Sequence, residues 1–439
     1  MTEAQEFAQD LIDFIQASPS PFHVVANVRD HLVDAGYAPL PFGERWTLSG
    51  GGKYFVTQNN SAIVAFAVGE GDPAEHGFRL VASHTDSPSL RINPAPEMVV
   101  EDAYLKLDTE VYGSPILNTW LDRPLRLAGR VSLKGGSILD PEARLVLFDG
   151  PMLVIPNQAL HMNRKVNEGL ALNPQDDMMP LLAGVSEELE KDGFLKGLLA
   201  EELGVGADQI AGFDLFLSEY ERGSLVGLNQ EFISSTKLDN LAMVHASLHG
   251  LLASDVGQAT SVLVCYDDEE VGSRTRQGAA SPFLATLLER IVMARGKDRE
   301  DFYRAVSNSF MISADMGHAV HPNAPDKHDP VHKPVVNGGP MVKIAAKKNF
   351  ITESNSAAVY QALCERLGIP VQTFVSRSDQ KGGSTIGPIT ATQLDLRSLD
   401  VGSPTLAMHS IREMAGVADH DSISRSFEGF YGLEQLGSV

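Results

Sequence analysis

The side chains best placed to do chemistry begin with Asp267, Asp268, Glu269 and Glu270, four consecutive carboxylates with Gly272 two residues beyond. Residues 262–265 (VLVC) before them are apolar and partly β-branched, the pattern of a strand buried on both faces. Carboxylates crowded at the end of such a strand raise one another's cost of ionising, a cost met by cations, protonation or solvent. Read alone, the run is a solvated acidic turn, as most short charge runs are. Further candidates stand elsewhere. Residues 78–83 (FRLVAS) form another short buried strand running into His84 and Asp86, which can share a site or merely begin a surface turn. Asp239 precedes an amphipathic helix over 241–253, where a carboxylate is usually a cap. Asp315 ends the buried strand 310–314, and His409 lies in the first turns of a helix opening at 406.

These positions need elements that bring them together. His84, Glu270, Asp315 and His409 each fall at or just past a predicted strand, and in an open parallel sheet those C-terminal ends face one crevice. Two histidines with three carboxylates suit a pair of divalent ions such as Zn²⁺, because imidazole favours zinc over magnesium or calcium and a carboxylate can bridge. Two cations would also let adjacent glutamates remain ionised. The histidines of the loop at 318, 321, 328 and 332 alternate with prolines on no regular element, and they read as shaping the site or touching a neighbour. The glycine-rich stretch 381–385 could present backbone N–H groups to an anion but lacks a P-loop pattern.

The rest of the chain frames these elements. At 439 residues two domains are expected. Residues 1–38 read as two helices broken at 18–21 by prolines. Strands over 53–58, 61–68, 341–345, 371–376 and 394–399, with helices over 282–295 and 354–367, continue an α/β alternation. Between 93 and 235 the texture shifts to short alternating strands with one helical stretch, 185–203, consistent with a mostly β insertion between 1–92 and 236–439. The formal charge of −22 opposes nucleic acid and anionic membranes, so neither is an expected partner. Cys265 and Cys364 sit in apolar patterns, as buried thiols of a reducing, cytoplasmic compartment do.

The segments SHTDSP, KLDN, YDDEEVGS, SADMGHAVHPN, GGSTIGPI and GSPTLAMHSIRE together resemble the aspartyl aminopeptidase family of dinuclear zinc exopeptidases, in order from about residue 10 to the C-terminus. The resemblance implies a three-layer α/β/α peptidase domain interrupted by a dimerisation domain, two Zn²⁺ per subunit and a homododecamer. It implies hydrolysis of N-terminal Asp or Glu from peptides. His84 and Asp315 would hold one zinc, Glu270 and His409 the other, with Asp239 bridging. Glu269 would be the general base, and Asp86 would orient His84. His161, within the insertion, matches a histidine that reaches a neighbouring subunit's site, as a ligand of zinc or of the reacting substrate. Lys343 matches a lysine that meets the substrate's acidic side chain. Lys381 departs from the small residue or cysteine expected there and joins the candidate substrate-binding residues. Two other readings keep the same fold: a dizinc carboxypeptidase or deacylase, and an inactive assembly or binding protein.

Overall fold

Residues 260–266 (TSVLVCY) carry no charge, and in the computed structural model, which describes residues 1–185, 193–380 and 382–433, they form a strand with every residue buried. That strand belongs to a nine-stranded sheet whose members, in chain order, are β1 (Ala38–Pro39), β2 (Lys53–Gln58), β3 (Ala62–Ala67), β4 (Phe78–His84), β5 (Thr260–Tyr266), β6 (Phe310–Ala314), β7 (Met341–Ile344), β8 (Gln372–Val375) and β9 (Arg397–Gly402). Across the sheet they run β1-β2-β3-β5-β4-β6-β9-β7-β8. The central run β5-β4-β6-β9 is parallel. Its C-terminal ends therefore open on one side, where the expected crevice lies.

Helices cover both faces. Leu263 and Cys265 of β5 pack with Leu11, Leu241 and Phe427, from the helices Glu3–Gln16, Leu238–Ala253 and Val417–Tyr431. The alternate residues Val262, Val264 and Tyr266 pack with Leu287 and Phe302, from Phe283–Ala294 and Arg299–Ser307. Period-two alternation inside an apolar run thus feeds two cores at once. Each such side chain, fully withdrawn from water, contributes about 1.5–3 kcal/mol. The first helix begins with a capping box, in which Thr2 and Gln5 each satisfy the other's backbone N–H. Pro21 starts the helix Pro21–Asp34 at a position where its missing N–H costs nothing.

Residues 89–219 supply a six-stranded antiparallel sheet with its own core around Leu90, Leu107, Leu127 and Leu215. Within the helix expected over 185–203, residues 186–192 lie outside the described residues; Phe194–Leu203 is helical and stops at Gly204, whose φ is 64°. A third sheet joins Ser224–Val226 and Phe232–Ser235 to Glu413–Gly416, Pro404–Leu406 and Gly317–His318. Among the described residues, no helix is long and apolar enough to cross a membrane.

Two local expectations are corrected. The helix opening at 406 does not form: Thr405 and Leu406 pair with Ala415 and Met414, and Ala407 and His409 adopt φ of 56° and 67°, which no α-helix accepts. His409 sits on the connecting loop instead. The strand expected over 394–399 begins at Arg397, because the helix Ile386–Leu394 takes its first residue and Asp395 closes that helix with φ of 50°.

Candidate active site

His84 is the last residue of β4 and is 1% exposed. Its Nδ1–H donates to the Asp86 carbonyl oxygen at 3.1 Å, with the Asp86 Oδ1 charge 3.2 Å away as an ion-pair contact, so that in the neutral ring Nε2 carries the lone pair. That Nε2 lies 3.8 Å from Asp239 Oδ1 and 3.7 Å from Asp315 Oδ1. Asp315 directly follows β6, beside β4 in the sheet. A Cβ at Gly402 would overlap the Asp315 carbonyl oxygen, so glycine there permits the close approach of β9.

Asp239 and Asn240 depart from helical geometry at the start of Leu238–Ala253. Asn240 ties the turn to the end of β6, donating to the Ala314 carbonyl at 2.9 Å and accepting from Met316 N–H at 3.3 Å. Asp239 is therefore not a simple cap. Its Oδ2 lies 3.4 Å from His409 Nε2, and that nitrogen is 3.5 Å from Glu270 Oε1. The two carboxylate oxygens of Asp239 thus face different histidines. His409 Nδ1–H donates to the Ser114 carbonyl at 3.0 Å, from the segment that follows the second strand of the six-stranded sheet.

Glu269 and Glu270 open a single 3-10 turn after β5. Asp86 Oδ2 accepts from Glu270 N–H at 3.0 Å and from the Tyr112 hydroxyl at 2.8 Å. Asp267 and Asp268 hold the turn: Asp267 Oδ1 accepts from Asp268 N–H, and Asp268 accepts from Tyr112, Thr275 and Gln277. Lys343 lies in β7 and is buried, donating to Asp315 Oδ2 at 3.0 Å and to the Met316 carbonyl at 2.6 Å. His84, Asp239, Glu269, Glu270, Asp315, Lys343 and His409 line one cavity of about 470 Å³. Of the histidine-rich loop, His318 reaches that cavity; His321, His328 and His332 are not among its lining residues. His161 is exposed on a turn and does not line the cavity of its own chain. Lys381 lies outside the described residues.

Burial pushes the Glu269 carboxyl up to about 8, and burial together with Asp239 holds Glu270 well above the carboxylate range. Burial opposes protonation of His409, yet Asp239 and Glu270 outweigh it and push its imidazole up to about 10. In Asp315, burial is outweighed by Lys343 and His84, which hold its carboxyl down. Acids pushed up beside a base pushed up mark a pocket short of positive charge. Asp239 Oδ1 is buried and without a hydrogen-bond partner among the described residues. Two groups of ligand atoms, His84–Asp239–Asp315 and Asp239–Glu270–His409, each lie within 4.8 Å and share Asp239. Imidazole nitrogen with carboxylate oxygen is a donor set that fits zinc.

Sequence reading alone passed over Glu413. It is 3% exposed, and its two oxygens accept from His409 N–H at 2.8 Å and Asp239 N–H at 2.9 Å, clamping both backbones. The available signal was a carboxylate four residues after a candidate histidine, a spacing that a presumed helix made uninformative.

The chain matches the family model described as aminopeptidase I zinc metalloprotease (M18) over residues 14–431. It is 53% identical over 433 residues to a probable M18 family aminopeptidase 2 of Clostridium acetobutylicum, covering 99% of this chain and 100% of that protein. Its fold is similar to Ape4 in a cryo-EM structure of the Ape4 and Nbr1 complex, with a TM-score of 0.93 and 34% identity over 98% of this chain and 86% of that one. It is also similar to the mApe1 dodecamer of S. cerevisiae, with a TM-score of 0.86 and 26% identity over 98% of this chain and 97% of that one. The chain belongs to the aminopeptidase I (M18) family of zinc metalloproteases.

Proposed function

We propose that this M18 aminopeptidase removes N-terminal Asp or Glu from peptides with two zinc ions per chain. The observation that carries this reading is Asp239, whose Oδ1 faces His84 and whose Oδ2 faces His409. His84 and Asp315 would hold one ion and Glu270 and His409 the other, with Asp239 between them. When bound, the pair supplies Lewis-acid polarisation of the scissile carbonyl and a lowered pKa for the attacking water. Glu269, on the same cavity wall, takes the water's proton as its oxygen bonds to the carbonyl carbon. The same carboxyl returns that proton to the leaving amine as the C–N bond breaks. Adjacent side chains diverge, so Glu270 can ligate while Glu269 faces the water. Asp86 orients His84.

Acidic preference rests on Lys343, a buried ammonium on the cavity wall. Two of its three N–H donors serve Asp315 and Met316, leaving a third for a substrate carboxylate. Lys381 joins the same substrate-binding role. His161, exposed on its turn, serves a neighbouring subunit's site in a homododecamer built through residues 93–235, as an inserted domain between 1–92 and 236–439. Cys265 and Cys364, both free and buried, fit a cytoplasmic address.

Glu269→Gln tests the assignment against Asp-, Glu-, Ala- and Leu-terminated chromogenic substrates. Turnover should fall about 10²–10⁴-fold, with zinc content by mass spectrometry unchanged. Retained turnover removes Glu269 from the base role, and equal rates on all four substrates remove the acidic preference.

A further inference from the structure

Away from the cavity, the helix Glu3–Gln16 packs across Leu238–Ala253 and Val417–Tyr431. Asp10 on the first helix meets His245 and His249, four residues apart on one face of the second. Asp10 Oδ2 is 3.1 Å from His245 Nε2 and 3.3 Å from His249 Nε2, and the three ligand atoms lie within 4.8 Å of one another. We propose that Asp10, His245 and His249 form a further zinc site that pins the N-terminal helix to the helix beginning beside Asp239.

The geometry is that of a coordination edge. A tetrahedral zinc with ligands at about 2.0–2.1 Å places neighbouring ligand atoms about 3.3–3.4 Å apart. The 3.3 Å from Asp10 Oδ2 to His249 Nε2 falls in that range, and the 3.1 Å to His245 Nε2, also a hydrogen-bond distance, lies just below it. Histidines four apart on a helix project side by side, and these rings lie 4.2 Å apart. The surroundings complete the pattern. With Nε2 given to the metal, His245 carries its proton on Nδ1, from which His420 Nε2 accepts at 3.0 Å and fixes the ring's orientation. His249 Nε2 is buried, and apart from its 3.3 Å ion-pair contact with Asp10 Oδ2 it has no hydrogen-bond partner among the described residues. Phe7 closes the apolar side, with its ring centroid 4.8 Å from His420 and 5.1 Å from His249. The other side is open: the side chains of Asp10 and His249 are 52% and 31% exposed, giving an entry path and room for water as fourth ligand. None of these residues lines the catalytic cavity.

The test compares the full chain with D10N and H249Q, both at partly exposed positions. Each protein is stripped with a chelator, reloaded with excess Zn²⁺, freed of unbound metal and counted by mass spectrometry. Retained aminopeptidase activity reports an intact fold. The wild-type chain should carry one more zinc ion than H249Q, whatever the catalytic cavity itself holds, and D10N should lose that ion at lower chelator concentration. Cobalt loading should give the wild type an additional tetrahedral visible absorption over that of H249Q. Equal zinc counts in all three proteins overturn the site.

Discussion

Replacing Asp86 with alanine removes a fully buried carboxylate that touches both halves of the proposed metal centre. The His84 Nδ1–H would keep the residue-86 carbonyl at 3.1 Å, so the tautomer survives, but it loses the negative oxygen at 3.2 Å that raises its basicity. The Tyr112 hydroxyl keeps Asp268 Oδ1 at 3.0 Å. Glu270 N–H loses its acceptor at 3.0 Å, in a place where an unsatisfied donor costs about 1–3 kcal/mol. Loss of a carboxylate behind a ligating histidine typically weakens metal binding about 10–100-fold, or about 1.4–2.7 kcal/mol. Tyr112→Phe deletes one hydrogen bond to the same carboxylate and spares the other two contacts. Its effect should stay near threefold, or about 0.6 kcal/mol. Competition against a chelator of known affinity measures both variants on one scale. Asp86→Ala binding zinc as tightly as the wild type would refute the orienting role. A larger loss in Tyr112→Phe than in Asp86→Ala would show that the hydroxyl, and not the carboxylate, organises the site.

Lys343→Met should lower the Asp-to-Ala substrate rate ratio about 10–100-fold, the worth of one charge-assisted hydrogen bond; an unchanged ratio moves specificity to Lys381. In chelator, the same variant should lose about 3–5 kcal/mol in urea denaturation, because Asp315 keeps its charge without its cation. His23 gives a pH dependence: burial, then Lys237 and Arg126, pull its imidazole down to about 4. It is neutral when folded but protonates near 6.5 when unfolded, so the unfolded chain binds more protons and stability falls as pH drops from about 6.5 to about 4. The loss is about 3 kcal/mol for this residue. His23→Gln should show a shallower decline across that window, and parallel curves for the two proteins would exclude His23 as the source.

Local pattern went far in this chain. The apolar runs at 78–83, 262–265 and 310–314 could satisfy their backbone groups while excluding water only as buried strands, and their ends placed His84, the glutamate pair and Asp315 on one rim. The resemblance carried by the motifs then assigned the roles and pointed to the zinc peptidase family that the comparisons bear out. Helical periodicity failed at 406–413, where pairing of Leu406 with Met414 outweighs any local preference. That pairing also brings Glu413 onto the backbones of His409 and Asp239, where it acts as a clamp. The third sheet is equally invisible locally, because Phe232–Ser235 pairs with Glu413–Gly416 from far along the chain.

The same division holds for charge. Residue types announced that acids and imidazoles were present in proportions suited to zinc. Their energetics depend on separations of 3–4 Å between segments far apart in the chain, and no short-range spacing encodes these. The two faces of Asp239 show this most directly: in sequence it reads as a helix cap, and only Asn240 bonded to the end of β6, with Glu413 bonded to its own N–H, aims one oxygen at each histidine. The Asp10–His245–His249 cluster has the same origin, joining residues more than two hundred positions apart. Periodicity reports which face of an element is buried. Which distant face it meets is settled by packing, and packing decides whether neighbouring carboxylates form a surface turn or a cation site.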